Sequence, residues 1–300
     1  MRVVSLLPAA TEIVALLGAS EHLVGITHEC DYPDVVRSRA RVTASAIPHA
    51  SDPAEIDAAV KELSGEGRAL FTLDEATIRA LHPDVLITQA LCDVCAVRET
   101  DVLALAARLT PTPRVVTLSG DTLDGVYADI AAVASALDAD SEAEELLVGL
   151  RGRVKHVHDT VTRAKAPRPR VVLIEWTSPV YVAGHWGPEQ IKRAGGVDML
   201  GVAGSHSVVV TMDALRASEP EYVLIAPCGY SLSAATAEAR KLLIMPEWQW
   251  LHGRQLWALD ANGLVSRPGP RIVDGIEAMA RIFNPMLFSA LDKRHAARVL

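Results

Sequence analysis

Residues able to ligate a metal or act as nucleophiles gather at two places in the first third of the chain. His28-Glu29-Cys30 is one, and Gln89 followed by Cys92-Asp93-Val94-Cys95 is the other. A Cys-x-x-Cys with a further Cys and a His is, in kind, a tetrahedral zinc-type set. His28 and Cys30 lie far upstream of Cys92, so only a fold could bring the four together. The same thiols have two other uses. They could form a redox dithiol, which needs a lowered thiol pKa, or touch the metal of a bound ligand directly, since thiolate and imidazole are both metal donors. A Cys pair that merely fills space in a loop is the plain alternative.

The second half offers flat and basic side chains. His185 and Trp186 stand between Gly184 and Gly187, a frame that permits close approach to a ligand; a Trp packed under the loop beside a satisfied His would look the same. Tyr32 and Trp176 offer aromatic faces, or are core aromatics. Arg267 precedes Pro268-Gly269-Pro270 at a helix start, where a cation plus backbone amides suits an anionic or amide group, although an ordinary cap fits too. His206 is a weaker candidate. Trp248 and Trp250 read as packing at a helix-strand junction.

These residues need elements to carry them. Residues 85–88 form a short apolar run after His82-Pro83-Asp84 and predict a buried strand that runs out at Gln89. Strands are also expected over 3–6, 23–26, 114–118, 171–175, 181–183, 222–226 and 256–259. Helices are expected over 11–17, 54–63, 74–81, 101–109 and 272–283. Strand-helix alternation argues for a mostly parallel sheet covered on both faces. Between 123 and about 166 the pattern is helical only. Ser141-Glu142-Ala143-Glu144 reads as a capping box opening a helix of roughly 24 residues, about 36 Å long at 1.5 Å per residue. Pro167-Arg168-Pro169 ends it. The division that follows is an N-terminal α/β lobe (1–122), a helical linker with a long bridging helix (123–168) and a C-terminal α/β lobe (169–300).

The totals bound the class. A chain of 300 residues, half of them hydrophobic, builds one large or two smaller domains. The net charge of −8, with no Lys/Arg-rich run, argues against nucleic acid. Four cysteines are too few for a disulfide scaffold. Residues 3–17 are apolar, but Glu12 interrupts them and only Arg2 is basic, so a signal peptide, a lipobox and a membrane span are not expected. The expectation is a cytoplasmic protein with reduced thiols. No Gly-x-Ser-x-Gly, Walker-type loop or Gly-x-Gly-x-x-Gly marks an enzyme.

Several stretches carry a resemblance. Arg2-Val3-Val4-Ser5-Leu6-Leu7-Pro8-Ala9-Ala10-Thr11-Glu12, Leu23-Val24-Gly25, Asp31-Tyr32-Pro33, Pro83-Asp84-Val85-Leu86-Ile87, Trp176 and Ala183-Gly184-His185 resemble the cobalamin-, haem- and siderophore-binding proteins that serve ABC importers. The match covers nearly the whole chain. Glu29-Cys30-Asp31-Tyr32-Pro33, Gln89 with Cys92-x-Val94-Cys95-Ala96, and Arg267-Pro268-Gly269-Pro270-Arg271 are similar to a narrower branch labelled cobalamin-binding, whose members commonly lack an export signal. The resemblance implies two Rossmann-like lobes with mostly parallel sheets, a long bridging α-helix and a ligand cleft between the lobes. It also implies a corrinoid such as cobalamin as ligand, with Cys30, Cys92, Cys95 and His185 near the metal. Tyr32, Trp176 and Trp186 would stack on the ring, and Gln89 and Arg267 would bond peripheral polar groups. A haem or siderophore binder is one alternative. A metal- or thiol-dependent enzyme holding zinc or iron on His28, Cys30, Cys92 and Cys95 is another. Exported relatives dock on their transporter through one acidic residue per lobe. By spacing this chain offers Asp213 in the second lobe but Ala76, with Glu75 adjacent, in the first, which argues against docking.

Overall fold

The computed structural model describes residues 1–47, 52–91 and 96–300. The first unit comprises Met1–Gly120 and Asp124–Val148. Its five-stranded sheet is built from β1 (Val3–Ser5), β2 (Leu23–Ile26), β3 (Ala40–Arg41), and two further strands described below. A separate antiparallel pair, β4 (Thr43–Ser45) and β5 (Phe71–Leu73), follows, and then β6 (Val85–Gln89) and β7 (Arg114–Leu118) complete the main sheet in the order β3-β2-β1-β6-β7. All its pairings are parallel. Parallel strands need covered faces, which is why β1 and β6 open on apolar residues without alternation and are buried throughout, down to the polar Ser5, Thr88 and Gln89 at their carboxyl ends. Val4, Leu6 and Leu86 pack with Ile78, Val102 and Leu105 on one side. The order reverses between β1 and β6, so the crevice beyond their carboxyl ends is the topological switch point.

Helices α1 (Pro8–Leu16), α2 (Pro53–Gly65), α3 (Glu75–Ala80) and α4 (Glu99–Ala106) fill the connections. The sequence predicts a turn at Pro8 and a helix opening at Thr11. The helix instead begins at Pro8, because a proline at the first helical position loses no needed N–H and Leu7 is already extended. α5 (Leu123–Ala136) is followed by α6 (Asp140–Arg163), 24 residues as the pattern predicts. Ser141 lies inside α6 and donates to Glu142 Oε2 at 2.8 Å, so the expected capping box does not form.

The second unit comprises Asp121–Leu123 and Gly149–Leu300. Its mixed sheet is built on β8 (Arg170–Thr177), with β9 (Val180–Val182) antiparallel at its carboxyl half and β10 (Val197–Asp198) parallel at its start. β11 (Val208–Val209) extends β9, while β12 (Tyr222–Ile225), β13 (Gln255–Leu259) and β14 (Ala296–Arg298) lie on the other side of β8. Alternate residues Val172, Ile174, Val223, Ile225, Leu256 and Ala258 face one core with Trp248 and Leu251. Trp248 and Trp250 stack at 6.2 Å in the 3-10 turn Pro246–Leu251, the packing role expected of them. Helices α7 (Gly187–Arg193), α8 (Met212–Ala217), α9 (Leu232–Leu242), α10 (Ala261–Leu264) and α11 (Ile272–Phe283) complete the unit. Among the described residues no helix is long and apolar enough to cross a membrane.

Candidate functional site

In the first unit, the turns after β1 and β2 hold a short chain of hydroxyls. Thr11 Oγ1 donates to Ser5 Oγ at 2.8 Å, and Ser5 Oγ donates to the Leu7 carbonyl at 2.9 Å. The Cys30 thiol, 2% exposed, meets Thr11 Oγ1 at 3.0 Å. Arg41 fixes the loop by donating to the carbonyls of Thr27 (2.8 Å) and Cys30 (2.6 Å). His28 engages a different set: its Nδ1 lies 2.7 Å from Thr43 Oγ1, and its ring is 5.6 Å from that of Phe71. Burial, then the charge of Arg41, pushes the His28 pKa down, against the bond to Thr43. His28 and Cys30 thus face different neighbours. Among the described residues no group of three or more His, Cys, Asp or Glu could hold a metal ion. Cys92 and Cys95 lie outside the described residues. Gln89 is buried at the last residue of β6, and Tyr32 is 42% exposed.

In the second unit the carboxyl ends of β8 and β12 sit at the switch point, because the chain leaves β8 toward β9 on one side and leaves β12 toward β13 on the other. There Trp176 and Tyr230 meet edge to face at 5.9 Å, half-buried, with the Trp176 indole N–H donating to Ser178 O at 3.1 Å. The turn carrying Tyr230 is braced by Asn262, whose side-chain amide donates to Gly229 O (3.1 Å). Cys228 on this turn is a free, exposed thiol. Arg267 is half-buried in the link between α10 and α11, with Gly269 N donating to its carbonyl at 2.8 Å.

His185 occupies the turn between β9 and α7, closed by Gly187 N donating to Gly184 O at 2.9 Å. Its φ of 50° is uncommon for a residue with a side chain, although His tolerates it better than most. Two hydrogen bonds hold it there: its N–H donates to Ser205 O (2.6 Å) and its carbonyl accepts from Gly204 N (2.9 Å). A third tie runs from Gly184 N to Ser207 Oγ at 3.1 Å, and Ser207 Oγ in turn donates to Glu175. The His185 ring is half-buried, and its Nδ1 is covered without a hydrogen-bond partner. Burial, then the neighbouring His206, lowers its pKa, and Asp121 opposes them. The imidazole is therefore neutral near pH 7, the form that ligates metals. Trp186 is 5% exposed and its indole N–H donates to Val265 O at 2.7 Å. It packs under the turn, and no face is open for stacking.

The structure thus gathers Trp176 with Tyr230, and His185 with His206, on strand ends of one unit. The sequence alone does not single out Tyr230, the Ser207–Glu175 tie or Asp121; the Pro227-Cys228-Gly229-Tyr230 turn directly after an apolar run is the available signal for the first. Residues 3–251 match the model of a family described as Periplasmic binding protein. No curated protein matches the chain. Among solved structures, a periplasmic haem-binding protein from Pseudomonas aeruginosa is 23% identical, covering 99% of this chain and 97% of that one, with a TM-score of 0.73. The periplasmic haem-binding protein RhuT from Roseiflexus sp. RS-1, in apo form, is 20% identical over 95% of this chain and 98% of that one (TM-score 0.68). The periplasmic vitamin B12 binding protein BtuF of Vibrio cholerae is 20% identical over 95% and 96% (TM-score 0.63). At these identities the likeness is one of fold.

Proposed function

Because the chain belongs to the periplasmic binding protein family, we propose that it is a ligand-binding protein for a metal tetrapyrrole, a corrinoid first, with the His185 imidazole as donor to the metal. The observation that carries this reading is the His185 turn. A neutral imidazole with a buried, unpartnered nitrogen is held on a backbone pinned from both sides. Neutral imidazole suits both cobalt and haem iron. The Trp176–Tyr230 pair supplies a flat apolar surface for the macrocycle. Arg267 provides a cation for its peripheral groups. Cys92 and Cys95 stay in the reading on their sequence alone. Cys30 serves there as a neighbour that shapes the loop, since its thiol is already engaged by Thr11.

Haem is the second reading. Two of the similar structures are haem-binding proteins, and an arginine such as Arg267 suits propionate carboxylates better than neutral amides. Absorption titrations with hydroxocobalamin and, separately, with hemin test both. A saturable one-to-one band shift is expected with one of them, weakened about tenfold or more in His185→Asn, the scale on which support of a metal is lost. Asn is chosen because it tolerates positive φ. If neither compound shifts, or the variant titrates like the parent, the reading is wrong.

We also place the protein in the cytoplasm, where the thiols of Cys30 and Cys228 would stay reduced. Transporter docking stays outside the proposal: Asp213 stands 94% exposed by its side chain, but Glu75 is bound to Arg108 at 2.6 Å with Ala76 beside it.

A further inference from the structure

His206 has no part in the reading above, yet its ring stands perpendicular to that of His185 with the centroids 5.1 Å apart. Two imidazoles that share one ion at a metal–nitrogen distance of about 2.0–2.1 Å place their ring centroids about 4.6–5.3 Å apart, for angles at the metal between about 90° and about 109°. The observed spacing falls inside that window. The pair is also fixed. Ser205 and Gly204, on the His206 loop, exchange backbone hydrogen bonds with His185, and Ser207 is tied to both Gly184 and Glu175. A carboxylate, Asp121, acts electrostatically on His185 from within the same unit and favours positive charge there. His206 is exposed, so an ion can enter and keep water on its remaining positions.

We propose that His185 and His206 form a two-imidazole site for a divalent first-row transition cation, such as zinc or cobalt(II). The buried, unpartnered Nδ1 of His185 is a donor atom already stripped of water, and an ion would satisfy it. Only the two imidazoles come from the protein, so the coordination shell stays open and exchangeable, unlike that of a closed structural site. Binding here and binding of a tetrapyrrole metal on His185 exclude one another, because both use the same ring. The cation would thereby act as a competitor of the larger ligand.

The test uses full-length protein without a histidine tag and cobalt(II) or zinc alone, so it does not depend on the tetrapyrrole reading. Cobalt(II) is titrated by its visible absorption and zinc by calorimetry, in the parent, His206→Ala and His185→Asn. One site per chain is expected in the parent. Each single substitution should weaken it more than about a hundredfold, beyond the loss of an outer-shell partner. Absence of a stoichiometric site in the parent overturns the proposal. So does affinity equal to the parent's in both variants, which would place the ion on other histidines. Loss in His185→Asn with retention in His206→Ala overturns it as well, because a single imidazole would then suffice. Should His185→Asn fold poorly by circular dichroism, the exposed His206→Ala decides alone. If zinc binds as expected while no tetrapyrrole does, the proposed function fails and the cation site stands.

Discussion

Gly184→Ala is the sharpest probe of the His185 turn. A Cβ built on Gly184 would lie 2.3 Å from Ser205 O, 2.5 Å from the carbonyl carbon of His206 and 2.5 Å from Ser207 N. All three are backbone atoms and cannot rotate away, so residues 205–207 must retreat by about 1 Å to reach ordinary contact. That retreat strains three hydrogen bonds, from Gly184 N to Ser207 Oγ, His185 N to Ser205 O and Gly204 N to His185 O. At a net value of about 0.5–1.5 kcal/mol each, their loss destabilises the second unit by about 2–4 kcal/mol. All five tryptophans (176, 186, 248, 250 and 257) belong to the second unit, so tryptophan fluorescence in urea follows that unit selectively. The midpoint should fall by roughly 1 M or more for a urea dependence of about 1–3 kcal/mol/M. Gly149→Ala is the matched control, since nothing lies within 4 Å of its added Cβ on the exposed side of α6. It should stabilise by about 0.5–1 kcal/mol, the helix penalty of glycine. If Gly184→Ala shifts the midpoint no more than this control does, the close approach of the two loops does not constrain the turn.

Acidification should weaken the fold in a defined window. His28 and His185 both have pKa values below 6.5 in the folded chain, chiefly through burial, so the unfolded chain takes up protons first as pH falls through 6.5. Their stabilisation is therefore whole above pH 6.5 and is lost as pH drops toward the folded values. Around His185 the charged groups that set this are His206, which adds to the effect, and Asp121, which offsets part of it. Urea midpoints at pH 7.5 and 6.0 should differ less in His185→Asn than in the parent; an identical pH dependence refutes the assignment. Trp186→Phe removes the donor to Val265 O, 2.7 Å away in a buried setting, and should cost about 1–3 kcal/mol by the same fluorescence assay. A cost near zero would mean that water reaches that carbonyl.

What could be read in the sequence follows the strength of local signals. Apolar runs located β6, β7, β8 and β12, each preceded by a proline, and β13, preceded by Gly253, because a strand buried on both faces cannot hide its composition. The 24-residue α6 was legible from its period and from Pro167. β3, β10 and β11 have two residues each, and β4, β5 and β14 three. Such short strands carry no period and exist only because a neighbour offers an edge. At the site, His185 was legible from its glycine frame. The burial of Trp186 and of Cys30 was not, since the carbonyl of Val265 and the hydroxyl of Thr11 lie far away in sequence and only tertiary structure delivers them. The His185–His206 approach depends likewise on Gly184, whose missing side chain lets residues 205–207 close in.

The partition of the chain has a consequence for its synthesis. The whole of the first unit lies before Gly149, while the second takes only Asp121–Leu123 from that stretch and needs everything from Gly149 through Leu300. At about 5–20 residues per second, the ribosome takes roughly 8–30 s to deliver residues 149–300. A parallel sheet that forms in milliseconds to seconds has ample time to assemble in that interval. The first unit is thus set to be a finished body while the second is still being made. Leu123, whose N–H awaits Glu189 Oε2 at 3.0 Å, is then among the last residues of the first half to find its partner on a nascent chain.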